Sequence, residues 1–182
     1  MDKATIRSLI KQLRQQFPSQ QQMVENENIM NQVLRHPLFL KSKTIGIYVS
    51  LPQEVSTLLL IQKALQTHRV CVPKVQGDIM HFYDIHDMND LKPGHFHVLE
   101  PIGCQVTDPK DIDLMIVPLL AYDQKCYRVG YGKGYYDKYF QNDFCGYKLG
   151  LAFSYQYVEH IDYDDFDIPL DEIITYKEDD YR

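Results

Sequence analysis

The chain has 182 residues, 45% of them hydrophobic and 24% charged, with a net charge of −6 at pH 7. That length fits one domain spanning residues 1–182, with enough apolar material for a core. The acidic balance argues against nucleic-acid partners, which need a basic face, and no apolar run approaches the ~20 residues of a membrane span.

The opening MDKATIRSLIKQLR is charged from its second residue, unlike a signal peptide. Over residues 3–16, Ile6, Leu9, Ile10 and Leu13 recur at helical spacing, with Lys3, Arg7, Lys11 and Arg14 along another face. Pro18 breaks the pattern, and a second helix carrying Met23, Ile29, Met30, Val33 and Leu34 ends before Pro37, giving a helical hairpin. TIGIYVSL (44–51) is β-branched and aromatic and reads as a strand, followed by the loop PQEVST and a helix from Ser56 to Thr67. RVCVPKV and IMHFYDI read as two further strands, and DLKPGHFHVLEPIG as a turn-rich connector. DLMIVPLLAYD is almost wholly apolar, the pattern of a strand covered on both faces of a parallel sheet. GYYDKYFQ then reads as a short helix, and KLGLAFSYQ and DEIIT as the last strands.

This alternation predicts an α/β fold, a three-layer, mostly parallel sheet with helices on both faces behind an N-terminal helical hairpin, and the family resemblance set out below implies that it is Rossmann-like. Ligands in such sheets sit beyond the carboxyl ends of the strands, which directs attention to Leu51–Val55, Pro73–Lys74, Leu119–Asp137 and Ser154–Gln156. The cysteines Cys71, Cys104, Cys126 and Cys145 are scattered and read as free thiols in a reducing cytoplasm. His81, His86, His95 and His97 have no thiolate or His-Glu-x-x-His frame beside them, so no zinc site is expected.

RVGYGKGYYDKYF, residues 128–140, carries Gly130, Gly132 and Gly134 at alternate positions with Lys133 between two of them. Glycines let backbone approach a ligand closely, and successive N–H groups can form a concavity for an anion. The helix expected to follow adds further N–H groups. Lys133 supplies a mobile cation and Arg128 a forked one. The spacing matches neither a P-loop nor a dinucleotide fingerprint. Asp137, in the first turn of that helix, is placed either to offset the helix dipole or to bind magnesium, which takes one or two carboxylates plus substrate phosphates. Tyr135 and Tyr136 flank the loop as packing aromatics or as a stacking surface.

VPLLAYDQKCYRVGYGKGYYDKYF resembles the signature of the 5-formyltetrahydrofolate cyclo-ligase family, also called 5,10-methenyltetrahydrofolate synthetases. The likeness extends to Lys3 and Arg7 on the first helix, IYVSLPQEVST, CVPKV, GHFHVLEP and LDEII. It implies closure of 5-formyltetrahydrofolate to 5,10-methenyltetrahydrofolate with ATP and Mg2+, releasing ADP and phosphate through phosphorylation of the formyl oxygen. By the same resemblance Lys3, Arg7, Arg128, Val129, Gly130, Tyr131, Gly132, Lys133, Gly134, Tyr135 and Tyr136 hold ATP. Lys133 and Arg128 act on the transferred phosphoryl, and Asp137 and Asp171 hold the metal. Val49, Leu51, Glu54 and Phe96, together with Tyr131, Gly132, Lys133, Gly134 and Tyr135, contact the folate. Tyr131 stands where some relatives carry arginine. Other readings of the same residues are a different ATP-dependent ligase or kinase, or a non-catalytic folate- or nucleotide-binding module. No apolar helix face forces a dimer, so a cytoplasmic monomer or weak homodimer is expected.

Overall fold

A computed structural model describes residues 1–94 and 98–178. Helix α1 (Lys3–Gln16) starts at Asp2, whose carboxylate accepts the Thr5 N–H at 2.8 Å and so satisfies one of the unpaired first-turn donors. Helices α2 (Ser19–Arg35) and α3 (Pro37–Lys41) follow, then strand β1 (Thr44–Ile47), helix α4 (Leu58–Ala64) and the strands β2 (Arg69–Gln76) and β3 (Ile79–Ile85). The short pair β4 (Leu91–Pro93) and β5 (Leu99–Pro101) precedes β6 (Leu114–Val117), and a second small hairpin joins β7 (Ala121–Tyr122) to β8 (Arg128–Val129). Helix α5 (Tyr135–Phe140) and strands β9 (Tyr147–Ala152) and β10 (Glu172–Thr175) complete the order.

Six strands form one sheet in the order β10-β9-β6-β1-β2-β3, parallel except where β3 returns antiparallel along β2. Along β6, Leu114 and Ile116 face α2 and α4, while Met115 and Val117 face α5. This is the expected three-layer α/β arrangement, and it follows from the period of two along a strand buried on both sides.

Several local expectations change. The apolar run 113–123 is not one strand: Pro118 has no N–H for the ladder, and beyond it the chain turns into β7. The first strand stops at Ile47, leaving Val49 and Leu51 in a loop, and the helix after it is shorter than 56–67. The connector 90–103 contains the β4–β5 hairpin. The first two helices follow one another but pack into different places. Ile6 and Ile10 of α1 sit against Ala121 and Val129, whereas Ile29 and Val33 of α2 enter the main core beside the sheet. That separation carries α1 to the carboxyl end of the sheet, next to the glycine loop.

Candidate active site

The chain leaves β1 toward β2 on one side, while β6 lies on the other side of β1, so the sheet order reverses between β1 and β6. A crevice at the carboxyl ends of two such strands is where α/β sheets bind ligands. Two cavities open there, and Pro118, Tyr135 and Tyr136 line both of them.

The first, of about 390 Å³, is enclosed by α1, the loop 130–134 and the start of α5. Lys3 and Arg7, one helical turn apart on α1, both line it, beside the stripe of Ile6 and Ile10 that enters the core. Arg7 Nε donates to the Gly130 carbonyl at 2.9 Å, tying α1 to the loop. Arg128 Nε donates to the Pro118 carbonyl at 3.1 Å, and its guanidinium lies 5.3 Å from the Tyr136 ring centre. Burial lowers the Arg128 pKa from its ordinary value, while Asp137 and other nearby acids pull the other way. Gly132 and Gly134 have φ of 98° and 68°, in the region that favours glycine. At Gly130 a β-carbon would lie 2.7 Å from an Arg128 guanidinium nitrogen, so a side chain there would displace that guanidinium. Lys133 is exposed at the cavity edge, its side chain without a partner among the described residues.

Three acids reach this cavity: Asp137 from α5, and Asp164 and Asp167 from the segment before β10. Asp137 accepts the Ile168 N–H at 3.0 Å, and Asp167 binds Lys3 Nζ at 2.5 Å. Burial raises the Asp137 pKa, Asp167 adds to that rise, and the Ile168 N–H and Arg128 oppose it. Among the described residues no group of three or more His, Cys, Asp or Glu side chains is disposed around a metal. Asp137 and Asp167, two hard carboxylate donors facing this cavity, nevertheless suit magnesium, which takes one or two carboxylates.

Asp171 is not part of this set. Its carboxylate accepts the Lys148 N–H at 2.7 Å and pairs with Lys148 Nζ at 3.2 Å, at the amino ends of β9 and β10. It lines a different depression with Asp113 and Tyr147. The metal pair expected from the sequence is therefore not brought together, and Asp167, four residues earlier, stands in the cavity instead. The only sequence signal for Asp167 was the acid-rich run DYDDFD, which carries no indication of where it folds.

The second cavity, of about 710 Å³, is lined by Val49, Leu51 and Glu54 from the loop after β1, by β2–β3, by β5 and by Tyr135 and Tyr136. The loop is held by its own bonds: Thr57 Oγ1 donates to the Tyr48 carbonyl at 2.6 Å and Tyr48 Oη to the Val55 carbonyl at 2.7 Å. These bonds present Glu54, whose Oε1 accepts the Leu51 N–H at 2.7 Å and whose Oε2 accepts from Tyr131 Oη at 3.4 Å. Burial raises the Glu54 pKa, and the Leu51 N–H opposes it, followed by the Tyr131 hydroxyl. Burial likewise pushes the Tyr131 phenol up to about 12.

Of the remaining sequence expectations, the Val129 side chain is buried with Ile6 and Ile10, so only its backbone faces the loop. Gly132, Lys133 and Gly134 line the first cavity and not the second. Phe96 lies outside the described residues. Lys74, from the expected window Pro73–Lys74, and Glu100, from the segment GHFHVLEP, also line the second cavity, and Met80 does so unannounced by any motif. The window Ser154–Gln156 is structural: Gln156 Nε2 donates to the carbonyls of Leu119 and Leu120, and Ser154 is held by Glu25.

Sheet order and paired cavities define an α/β protein that brings an anion and a flat, partly apolar molecule together at one wall. The sequence profile of the 5-formyltetrahydrofolate cyclo-ligase family matches residues 1–176, and the chain belongs to that family. A 5-formyltetrahydrofolate cyclo-ligase of Haemophilus influenzae is 29% identical over 93% of this chain and 95% of its own. Its Escherichia coli K12 counterpart is 27% identical over 92% and 96%. Among solved structures, an Aquifex aeolicus 5,10-methenyltetrahydrofolate synthetase superposes with a TM-score of 0.86 at 31% identity, covering 95% of this chain and 89% of its own. A Mycoplasma pneumoniae 5,10-methenyltetrahydrofolate synthetase gives 0.78 at 27%, covering 96% and 98%.

Proposed function

We propose that this chain catalyses the ATP- and magnesium-dependent closure of 5-formyltetrahydrofolate to 5,10-methenyltetrahydrofolate, with ADP and phosphate as the other products. One observation carries the reading beyond family membership: the cavity lined by Lys3, Arg7 and the glycine loop and the larger, partly apolar cavity share Pro118, Tyr135 and Tyr136. A terminal phosphoryl group in the first can thus meet a formyl oxygen in the second.

The formyl group is a poor electrophile because its nitrogen lone pair is delocalised into the carbonyl. Its oxygen attacks the terminal phosphorus of ATP, and the bond to the β-phosphate oxygen breaks to release ADP. The neighbouring arylamine nitrogen of the same folate then attacks the activated carbon. Its proton passes to the departing phosphate as the carbon–oxygen bond breaks, leaving the cyclic amidinium. The nucleophile belongs to the substrate, so the chain's own task is positioning and charge balance.

Glu54 receives the pterin's adjacent N–H donors in charge-assisted hydrogen bonds. Backbone N–H groups of 130–134 wrap the phosphates, Arg7 and Arg128 hold that loop in shape, and Lys3 and Lys133 offset charge on the transferred group. Asp137 and Asp167 are the residues that would hold magnesium, which would supply positive charge to offset that of the phosphates. Tyr135 and Tyr136 form the wall along which the two substrates align. Among the described residues no helix is long and apolar enough to cross a membrane. We take the working unit to be a monomer or weak homodimer.

The test is a spectrophotometric assay for the methenyl product with and without ATP and magnesium. Absorbance growth that needs both supports the reading. ATP hydrolysis without methenyl product, or no turnover with folate bound, overturns it.

A further inference from the structure

Gln156 lines neither of the two cavities, yet it holds the wall between them. It lies in the short turn after β9, only 3% exposed, and both ends of its amide are engaged. Oε1 accepts the Phe153 N–H at 2.7 Å, and Nε2 donates to the Leu119 carbonyl at 3.0 Å and the Leu120 carbonyl at 3.1 Å. An amide turned the other way would set its oxygen against both carbonyls, so the neighbours fix its orientation. The turn is anchored from behind by Glu25 of α2, itself 1% exposed. That carboxylate accepts the Ser154 N–H at 2.8 Å and the Ser154 hydroxyl at 2.7 Å.

The two carbonyls belong to the residues just after Pro118. Strand β6 ends at Val117 and β7 begins at Ala121, so residues 118–120 run between strands, and Gln156 supplies donors there. The Leu120 N–H donates to the Val129 carbonyl at 2.7 Å, and the Pro118 carbonyl accepts Arg128 Nε at 3.1 Å. Orienting the peptides after Leu119 and Leu120 therefore also orients the Pro118 carbonyl next to them. That carbonyl in turn aims the Arg128 guanidinium, which lies against Gly130 of the glycine loop. A relay thus runs from α2 through the 154–156 turn to a cation in the first cavity.

Resting on the activity proposed above, we propose that Gln156 is a positioning residue for the reaction. By holding the Leu119 and Leu120 carbonyls it sets Pro118, and through Pro118 the Arg128 guanidinium and the loop around the phosphates. The folate side is held independently, since Glu54 is presented by the Leu51 N–H and the bonds of its own loop. Loss of Gln156 should accordingly be felt by the nucleotide and by the alignment of the transferred phosphoryl, and not by the pterin.

The test compares wild type with Gln156→Met, which keeps the volume and removes the donors, and with the milder Gln156→Asn. Gln32→Met is the matched control. Gln32 is 7% exposed and donates to the Thr175 carbonyl at 2.8 Å, but lines neither cavity. Steady-state rates are measured well below each melting temperature, and ATP affinity is measured separately by calorimetry without folate. Gln156→Met should lower kcat about tenfold or more, as displaced reacting groups do. It should also weaken ATP about fivefold, the scale of one lost hydrogen bond, with KM for 5-formyltetrahydrofolate within about twofold of wild type. Gln156→Asn should move the same quantities in the same direction. In an Arg128→Met background the Gln156→Met substitution should cost less than about twofold in kcat, because residues in one relay are not additive. Gln32→Met should lower the melting temperature and leave kcat and ATP affinity in place. A Gln156→Met enzyme that melts earlier but keeps its kcat and ATP affinity would reduce Gln156 to a fold stabiliser and overturn the proposal. So would a full loss persisting without Arg128, or an equal loss in Gln32→Met. If Gln156→Met fails to fold, Gln156→Asn decides by the same criteria. Wild type that forms no methenyl product would sink the cyclo-ligase reading alone, and the ATP affinities would then decide the role of Gln156.

Discussion

Lys3 and Asp167, 164 positions apart in the chain, form a 2.5 Å ion pair inside the first cavity. Asp164 adds a second, longer contact to the same ammonium at 3.6 Å. The cation and the acid satisfy each other. A nucleotide with magnesium would divide them, taking Lys3 to phosphate and Asp167 to the metal.

Asp167→Asn should therefore raise the magnesium concentration needed for half-maximal turnover by about tenfold or more, the scale of losing one charged ligand contact. Asp171→Asn should leave that requirement within about twofold, because its carboxylate is engaged with Lys148. Magnesium titrations of the two variants separate the assignments. The reverse order of effects would restore Asp171 as the ligand.

Lys133 is exposed and its side chain bonds to no described residue, so removing it touches no packing. Lys133→Ala should lower kcat by about 100-fold, the usual cost of one charge-stabilising donor. The melting temperature should stay put, as for most surface substitutions. Turnover near the wild-type rate would take Lys133 out of the chemistry.

Gly132→Ala places a side chain at a φ of 98°. We expect a loss of about 1–2 kcal/mol in stability, with a rise in KM for ATP greater than that for the folate. Chemical denaturation together with the two KM values checks this. A stable variant with wild-type KM for ATP would mean the loop need not hold its shape.

Burial raises the Glu54 pKa, so its charge is unfavourable in the folded protein. The sign follows from linkage: a carboxyl raised on folding costs stability above its folded pKa, and that cost fades as pH falls from there to the lower pKa of the unfolded chain. Glu54→Gln should raise the melting temperature at neutral pH, by less as the pH is lowered. It should also reduce kcat/KM for the folate by about 100-fold through loss of two charge-assisted hydrogen bonds. Melting curves at several pH values and one kinetic series test both halves. A pH-independent difference would assign the stability effect to something other than ionisation.

Much of the molecule was legible along the chain. Helical spacing in 3–16, alternation in 79–85 and the glycines of 130–134 are local patterns, and local sterics dictate their outcome wherever the segment lands. The same holds for Lys3 with Arg7, since spacing of one turn places both on a single helix face. What only the tertiary structure decided was which segments come together. Pro118 splits an apolar run that looked continuous, and the turn it creates becomes the wall shared by two cavities. Asp171 and Asp167 are similar acids four residues apart. Strand register commits the first to Lys148, and the path of the preceding loop carries the second to Lys3. A carboxylate's role depends on what long-range packing sets beside it, and nothing in its own neighbourhood of sequence records that.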